Sequence, residues 1–195
     1  MDALHALYGT PSKGAMRKMS AKLTPLYQKW IEGARFCILS TVGDEGTDGS
    51  PRGDDGPVVA IHDETTLLMP DWRGNNRLDS LRNIVQDPRA SLIFMVPGSW
   101  TLVRVNAKAF LTDDPGLRQT FAKGDKLPAT VIVFEIDEIY TQCAKAIMRA
   151  GLWDRNDADS IPTVGEIMSE MKAIEKSAEE YDSTYAAYAQ PKLWG

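Results

Sequence analysis

Between residues 13 and 34 the apolar positions recur every three or four places, at Met16, Met19, Leu23, Leu26, Tyr27, Trp30 and Ile31. That spacing predicts a helix, broken or restarted at Pro25. The pattern then changes. RFCILSTVG (35–43) is dense in apolar and β-branched residues and predicts a buried strand. DEGTDGS (44–50) has three acidic side chains and two glycines and predicts a loop. SPRGDDGPVVAIHD (50–63) has the punctuation of a bulged or kinked strand that becomes regular over 58–61, and TTLLMP (65–70) is a short strand ended by Pro70.

Further on, RASLIFMVPG (89–98) and WTLVRVNAKAFLTDD (100–114) predict two strands joined at Pro97-Gly98. In the second, Leu102, Arg104, Asn106 and Lys108 share one face and Val103, Val105, Ala107 and Ala109 the other, as in a strand with one wet face. DPGLRQTFAKG (114–124) predicts a short helix stopped by Gly124, ATVIVFEIDEIYTQC (129–143) a long strand, and AKAIMRAGLW (144–153) a helix continuing from it. Residues 163–188 predict one amphipathic helix, reached through a polar linker at 154–162. Strand follows strand without regular strand–helix alternation, so the expected fold is mainly β with added helices, a small antiparallel barrel. A single domain, 1–195, is expected, with an N-terminal helix at 13–34, a core at about 35–143 and C-terminal helices at 144–188.

Charge narrows the functions. Twenty-two Lys and Arg against 27 Asp and Glu leave a formal net charge of −5, which argues against general nucleic-acid binding. Any anion site must therefore be local. No apolar run is long enough to span a bilayer, and residues 1–20 lack the ordered regions of a signal peptide, so a cytoplasmic protein is expected. Cys37 and Cys143, far apart and each among apolar residues, are expected as buried free thiols.

Several chemistries lack their residues. There is no phosphate loop and no G-x-G-x-x-G before a helix. His5 and His62 have no partner at ligand spacing, so no metal is expected, and no G-x-S-x-G elbow supports a hydrolase. No residue announces itself as catalytic.

The candidate chemistry lies in DWRGNNRLDSLRN (71–83), with Arg73, Arg77 and Arg82 around a Gly74-Asn75-Asn76 turn. Asn76 is the expected N-cap, Asp79 closes an approximate capping box, and Leu78, Leu81, Ile84 and Val85 form the expected core stripe. A helix start carries free N–H groups and partial positive charge, which arginine alone would worsen and a bound anion would offset. Arginine suits phosphate because it donates two parallel hydrogen bonds. The competing reading is an exposed turn whose arginines pair with Asp71 and Asp79. A second cluster, Ser50-Pro51-Arg52-Gly53-Asp54, either offers backbone groups to a planar ring or is simply irregular strand. In a third, Lys145 and Arg149 share a helical face, either solvated or set against another subunit. Trp153 could serve core, interface or ligand cover.

Together these segments resemble the pyridoxamine 5'-phosphate oxidase-like family of FMN-binding split-barrel proteins, in its branch of uncharacterised FMN-dependent enzymes. The resemblance runs over roughly 35–153, and GNNRLDSLRNI is its most specific part. It implies an antiparallel split β-barrel, FMN as cofactor, and a homodimer with flavins at the interface. By analogy Arg73, Asn75, Asn76 and Arg77 would hold the phosphate and ribityl end. Ser50, Pro51, Arg52 and Gly53, with Pro70, Asp71 and Trp72, would lie along the isoalloxazine ring. Gln142, Cys143, Lys145 and Arg149 would reach the flavin of a second protomer. The arginine–histidine pair of true pyridoxamine phosphate oxidases is missing from the C-terminal segment, so vitamin B6 is not the expected substrate. The implied function is an FMN-dependent oxidoreductase acting on a small molecule, in which the flavin does the redox chemistry, Arg52 favours its reduced state, and the tail over 164–185 could cover the ring. The alternative is a flavin-binding carrier or sensor without turnover.

Overall fold

Period-two alternation organises the middle of the chain into seven strands. A computed structural model describes residues 2–10 and 12–194, so Met1, Pro11 and Gly195 of the expected domain lie outside the described residues. The strands are β1 (Phe36–Gly43), β2 (Gly46–Gly53), β3 (Ala60–Asp63), β4 (Thr66–Asp71), β5 (Arg89–Met95), β6 (Leu102–Thr112) and β7 (Thr130–Gln142). They form one antiparallel sheet in the order β2-β1-β5-β6-β7-β4-β3. Cys37, Leu39, Leu92, Phe94, Val103, Val105, Phe134 and Ile139, all below 1% exposed, fill its concave side. On the other face Leu68, Val131 and Val133 are covered by Leu117 and Phe121.

Among the described residues there are eight α-helices: α1 (Asp2–Tyr8), α2 (Lys13–Arg17), α3 (Pro25–Glu32), α4 (Asp79–Gln86), α5 (Pro115–Gln119), α6 (Lys145–Ala150), α7 (Val164–Glu170) and α8 (Ala178–Ala189). Pro25 restarts the first predicted helix at its N1 position, where its missing N–H costs nothing, and Thr24 caps it. The single helix expected over 163–188 is two. Thr163 and Glu166 build a capping box for α7, Lys172 at φ 53° turns the chain left-handed, and Ser177 caps α8.

The expected mainly β split barrel is corrected in two respects. Helix and strand contribute equally, 33% and 32%, so the class is mixed α and β. Among the described residues no ladder joins β2 to β3 or β4, and the sheet is open with β2 and β3 as its margins. The loop expected over 44–50 is instead most of β2. Its register with β1 runs unbroken from Phe36–Gly53 to Gly43–Gly46, with no bulge. Pro51 is tolerated because β2 is an edge strand, and Pro70 because β3 ends its pairing at Leu68 and leaves that part of β4 with one neighbour.

Candidate functional site

Edge strand β2 turns Asp48, Ser50 and Arg52 to one side, half-buried, while Thr47, Gly49, Pro51 and Gly53 face solvent. The sheet curls far enough for Arg52 Nη1 to form an ion pair with Asp71 at the end of β4, five places away in strand order. Their side chains are 19% and 11% exposed, so the pair is largely out of water. Beyond it the chain makes the turn of residues 72–78 and enters α4.

That turn differs from the sequence expectation. Leu78, not Asn76, is the residue before α4, and it has φ 62° with no side-chain cap; Asn76 also lies left-handed at φ 59°. Asn75 Oδ1 accepts the Arg77 N–H at 3.1 Å, closing a local turn. Left-handed non-glycine residues cost of order 1–3 kcal/mol each and persist where the surrounding structure holds them. The apolar stripe on α4 is also corrected. Ile84 is buried, but Leu78 and Val85 are exposed, and the inward face carries Ser80 and Asn83. Ser80 donates to Asp48 on β2, and Asn83 Nδ2 donates to Thr41 Oγ1 at 3.2 Å. Polar contacts therefore seat α4 on the β1–β2 hairpin.

Between β2, the turn and the start of β7 lies a cavity of about 780 Å³. Ser50, Pro51 and Arg52 line one side, and Asp71, Trp72, Arg73, Asn75, Asn76 and Arg77 another. Gly53 and Pro70 line a smaller adjoining cavity of about 150 Å³, which shares Pro51, Arg52 and Trp72 with the first. Arg77 Nε pairs with Asp79 at 3.0 Å, as the exposed-turn reading had it, but Asp71 is taken by Arg52. Arg73 is exposed at the cavity without an ion-pair partner among the described residues. Arg82 faces a different hollow beside Glu45 and Gln86.

Gln142, Cys143, Lys145 and Arg149 are not brought to this cavity within one chain. Gln142 ends β7, whereas the cavity meets Thr130 at its start, a separation of about 40 Å along an extended strand. Trp153 packs instead, donating from Nε1 to Ser99 O at 2.8 Å. Sequence reasoning missed Asp48, Ser80, Ala129 and Thr130. Alternation along β2 would have grouped Asp48 with Ser50 and Arg52, but nothing local marks Thr130, which arrives by its pairing with Asp71.

Three buried side-chain polar atoms lack a hydrogen-bond partner among the described residues: Arg52 Nε, Trp72 Nε1 and Thr130 Oγ1. All three residues line the larger cavity. Leaving such a group unpaired costs about 1–3 kcal/mol. A ligand with acceptor atoms along this wall, met by a small side-chain rotation, would recover it.

Beside the smaller cavity, Lys123 binds both Asp54, at 2.9 Å, and Asp55. Its hydrogen bond to Asp55 raises the ammonium pKa, and the same bond lowers that of Asp55. The cysteines are both free, but only Cys37 is buried; Cys143 is exposed, against expectation, because the end of β7 leaves the core. Burial pushes the Cys37 thiol up to about 12, with Arg52 opposing. At pH 8 a thiol reagent should modify one cysteine per native chain and the second only on unfolding. Two fast-reacting thiols would contradict this packing.

The family model for pyridoxamine 5'-phosphate oxidase matches residues 23–143, and the chain belongs to that family. Among solved structures it resembles a candidate pyridoxamine 5'-phosphate oxidase from Lactobacillus delbrueckii, at 24% identity and TM-score 0.50, covering 62% of this chain and 95% of that one. HupZ of Group A Streptococcus follows at 13% and 0.48, covering 61% and 93%, and an FMN-binding protein from Syntrophomonas wolfei at 14% and 0.44, covering 59% and 87%. At these identities the likeness concerns fold alone. No curated protein matches the chain. No helix among the described residues is long and apolar enough to cross a membrane.

Proposed function

We propose that the 780 Å³ cavity binds FMN and that the protein is an FMN-dependent oxidoreductase acting on a small molecule. The observation that carries this reading is the convergence of three unpartnered buried polar atoms, from Arg52, Trp72 and Thr130, on one cavity beside an arginine-bearing turn. Its size is that of a cofactor site. Arg73, Asn75, Asn76 and Arg77 would take the phosphate and ribityl end, where Arg73 brings an uncommitted charge. Ser50, Pro51, Arg52 and Gly53, with Pro70, Asp71 and Trp72, would border the ring. Bound there, the flavin would supply hydride chemistry.

Arg52 has a role narrower than its charge suggests. Asp71 neutralises much of the guanidinium through Nη1, so what remains for the ring is a fixed donor, Nε, more than a net positive charge. Gln142, Cys143, Lys145 and Arg149, remote within one chain, would serve the flavin of a second protomer in a homodimer.

The carrier or sensor reading has one observation in its favour. Each carboxylate lining the cavity already has a partner: Asp48 has Ser80, Asp71 has Arg52 and Asp79 has Arg77. Flavin reduction under multiple turnover, tested with nicotinamide and other hydride donors, separates the two.

The deciding experiment is an absorption spectrum of the purified protein, with heat-released chromophore compared against FMN and FAD, and an FMN fluorescence titration. Arg77→Ala should weaken FMN binding by roughly 1.5–3 kcal/mol through loss of a charge-assisted contact. A colourless protein that takes up no added FMN would overturn the reading, and unchanged affinity in the variant would remove Arg77 from the phosphate site.

A further inference from the structure

Residues 190–194 return to the site. After α8, the short helical turn Gln190–Lys192 leads to Leu193 and Trp194. Leu193 lines the 150 Å³ cavity whose other walls include Pro51, Arg52, Val58, Met69 and Trp72. Trp194 meets Trp72 edge-on, with ring centroids 5.3 Å apart and planes at 68°. The Lys123 ammonium lies 4.6 Å from the Trp194 ring centroid while held by Asp54 and Asp55, and Lys126 Nζ donates to Pro191 O at 3.0 Å. Two separate pieces of chain therefore meet the Trp194 ring, Trp72 just after β4 and Lys123 of the turn at 123–126, while Leu193 beside it faces the end of β2.

Trp72 and Arg52 form the wall common to the two cavities, and each has an unpartnered buried donor. An edge-to-face contact fixes the plane of a ring, and a cation over the far indole fixes the plane of its neighbour. Trp194 thus sets which way the Trp72 indole, with its N–H, is turned. The helices before it do not share this duty, since α8 buries no residue and neither α7 nor α8 lines either cavity.

We infer that Trp194 is a positioning residue for the large cavity: it orients Trp72 against the ring end of the bound cofactor, and Leu193 limits any group reaching past Arg52 to a small one. The inference deepens the flavin reading and rests on it for the ligand. Occupancy and tail are then reciprocally coupled, because a ligand that fixes Trp72 also stabilises the tail against it.

The test compares the full chain with Trp194→Ala and Trp194→Phe, using FMN titration and hydrogen exchange. Trp194→Ala should weaken FMN binding by roughly three- to tenfold, the scale of an aromatic pair, and Trp194→Phe should restore most of it. Thermal midpoints should stay within a degree or two, because Trp194 lies outside the core. Adding FMN to the full chain should slow amide exchange over residues 190–194, and no such slowing should occur in Trp194→Ala. Equal FMN affinity in all three proteins, or a tail whose exchange ignores FMN, would overturn the inference while leaving the flavin site intact. A full chain that takes up no FMN is the failure of the flavin reading, and it is told apart without ligand. There, Trp194→Ala should still speed exchange over 71–74 severalfold if Trp194 holds Trp72, and unchanged exchange overturns that too.

Discussion

Arg52→Ala should lose about 3–5 kcal/mol of folding stability in chemical denaturation, the cost of stranding a largely buried charge. The reason lies in where Asp71 sits. Its side chain is 11% exposed at the end of β4, and its side-chain partner is the Arg52 guanidinium. Removing the arginine leaves the carboxylate with little water and no counter-charge. A double variant, Arg52→Met with Asp71→Leu, should recover most of the loss, since an apolar pair of similar bulk removes the uncompensated charge. A single-variant loss below about 1 kcal/mol would put the pair among ordinary surface bridges and discard the argument.

Gly43→Ala should destabilise the protein by about 1–3 kcal/mol through overpacking. A Cβ at Gly43 would stand 2.3 Å from Asn83 Oδ1 and 2.6 Å from Gln86 Oε1. The exposed Gln86 can swing away only by giving up a hydrogen bond, and Asn83 is held in place. Asn83 is buried and donates to Thr41, and Gln86 accepts the Asp44 N–H at 3.1 Å. Relief requires α4 to lift from the hairpin, which drags the turn of residues 72–78 with it. FMN affinity should fall together with stability. Gly49→Ala serves as the stability control, because a Cβ there meets nothing within 4 Å. If both variants melt at the wild-type midpoint, α4 is not seated as described.

The sequence is legible where packing and periodicity agree. β1, β5, β6 and β7 could be read because inward positions such as Val103, Val105 and Ala107 alternate with wetter ones, as they do in the fold. β2 could not, because an edge strand with one solvent face needs few apolar residues; GTDGSPRG has the composition of a loop and the hydrogen bonding of a ladder. Closure of the sheet is likewise a long-range property, and local pattern says nothing of whether β2 finds β3. At the site, the turn of residues 72–78 was visible through its arginines and glycine. The left-handed Leu78 was not, since leucine rarely adopts that conformation and is held there by the tertiary structure. Nor could the tail have been placed. Trp194 and Trp72 are separated by most of the chain and meet only once the sheet has curled.

The open margin of the sheet has a bearing on how a ligand gets in and out. Across the 780 Å³ cavity, among the described residues, β2 and β4 are clasped by one side-chain pair and share no strand-to-strand hydrogen bonds. The clasp can therefore unfasten while every rung of the seven-stranded ladder stays made, so traffic through the site is decoupled from unfolding. Because that pair is shielded from water, dissolved salt has little purchase on it. If the cavity holds the proposed flavin, its exchange should follow the opening of that one pair, which two side chains can tune without touching the core.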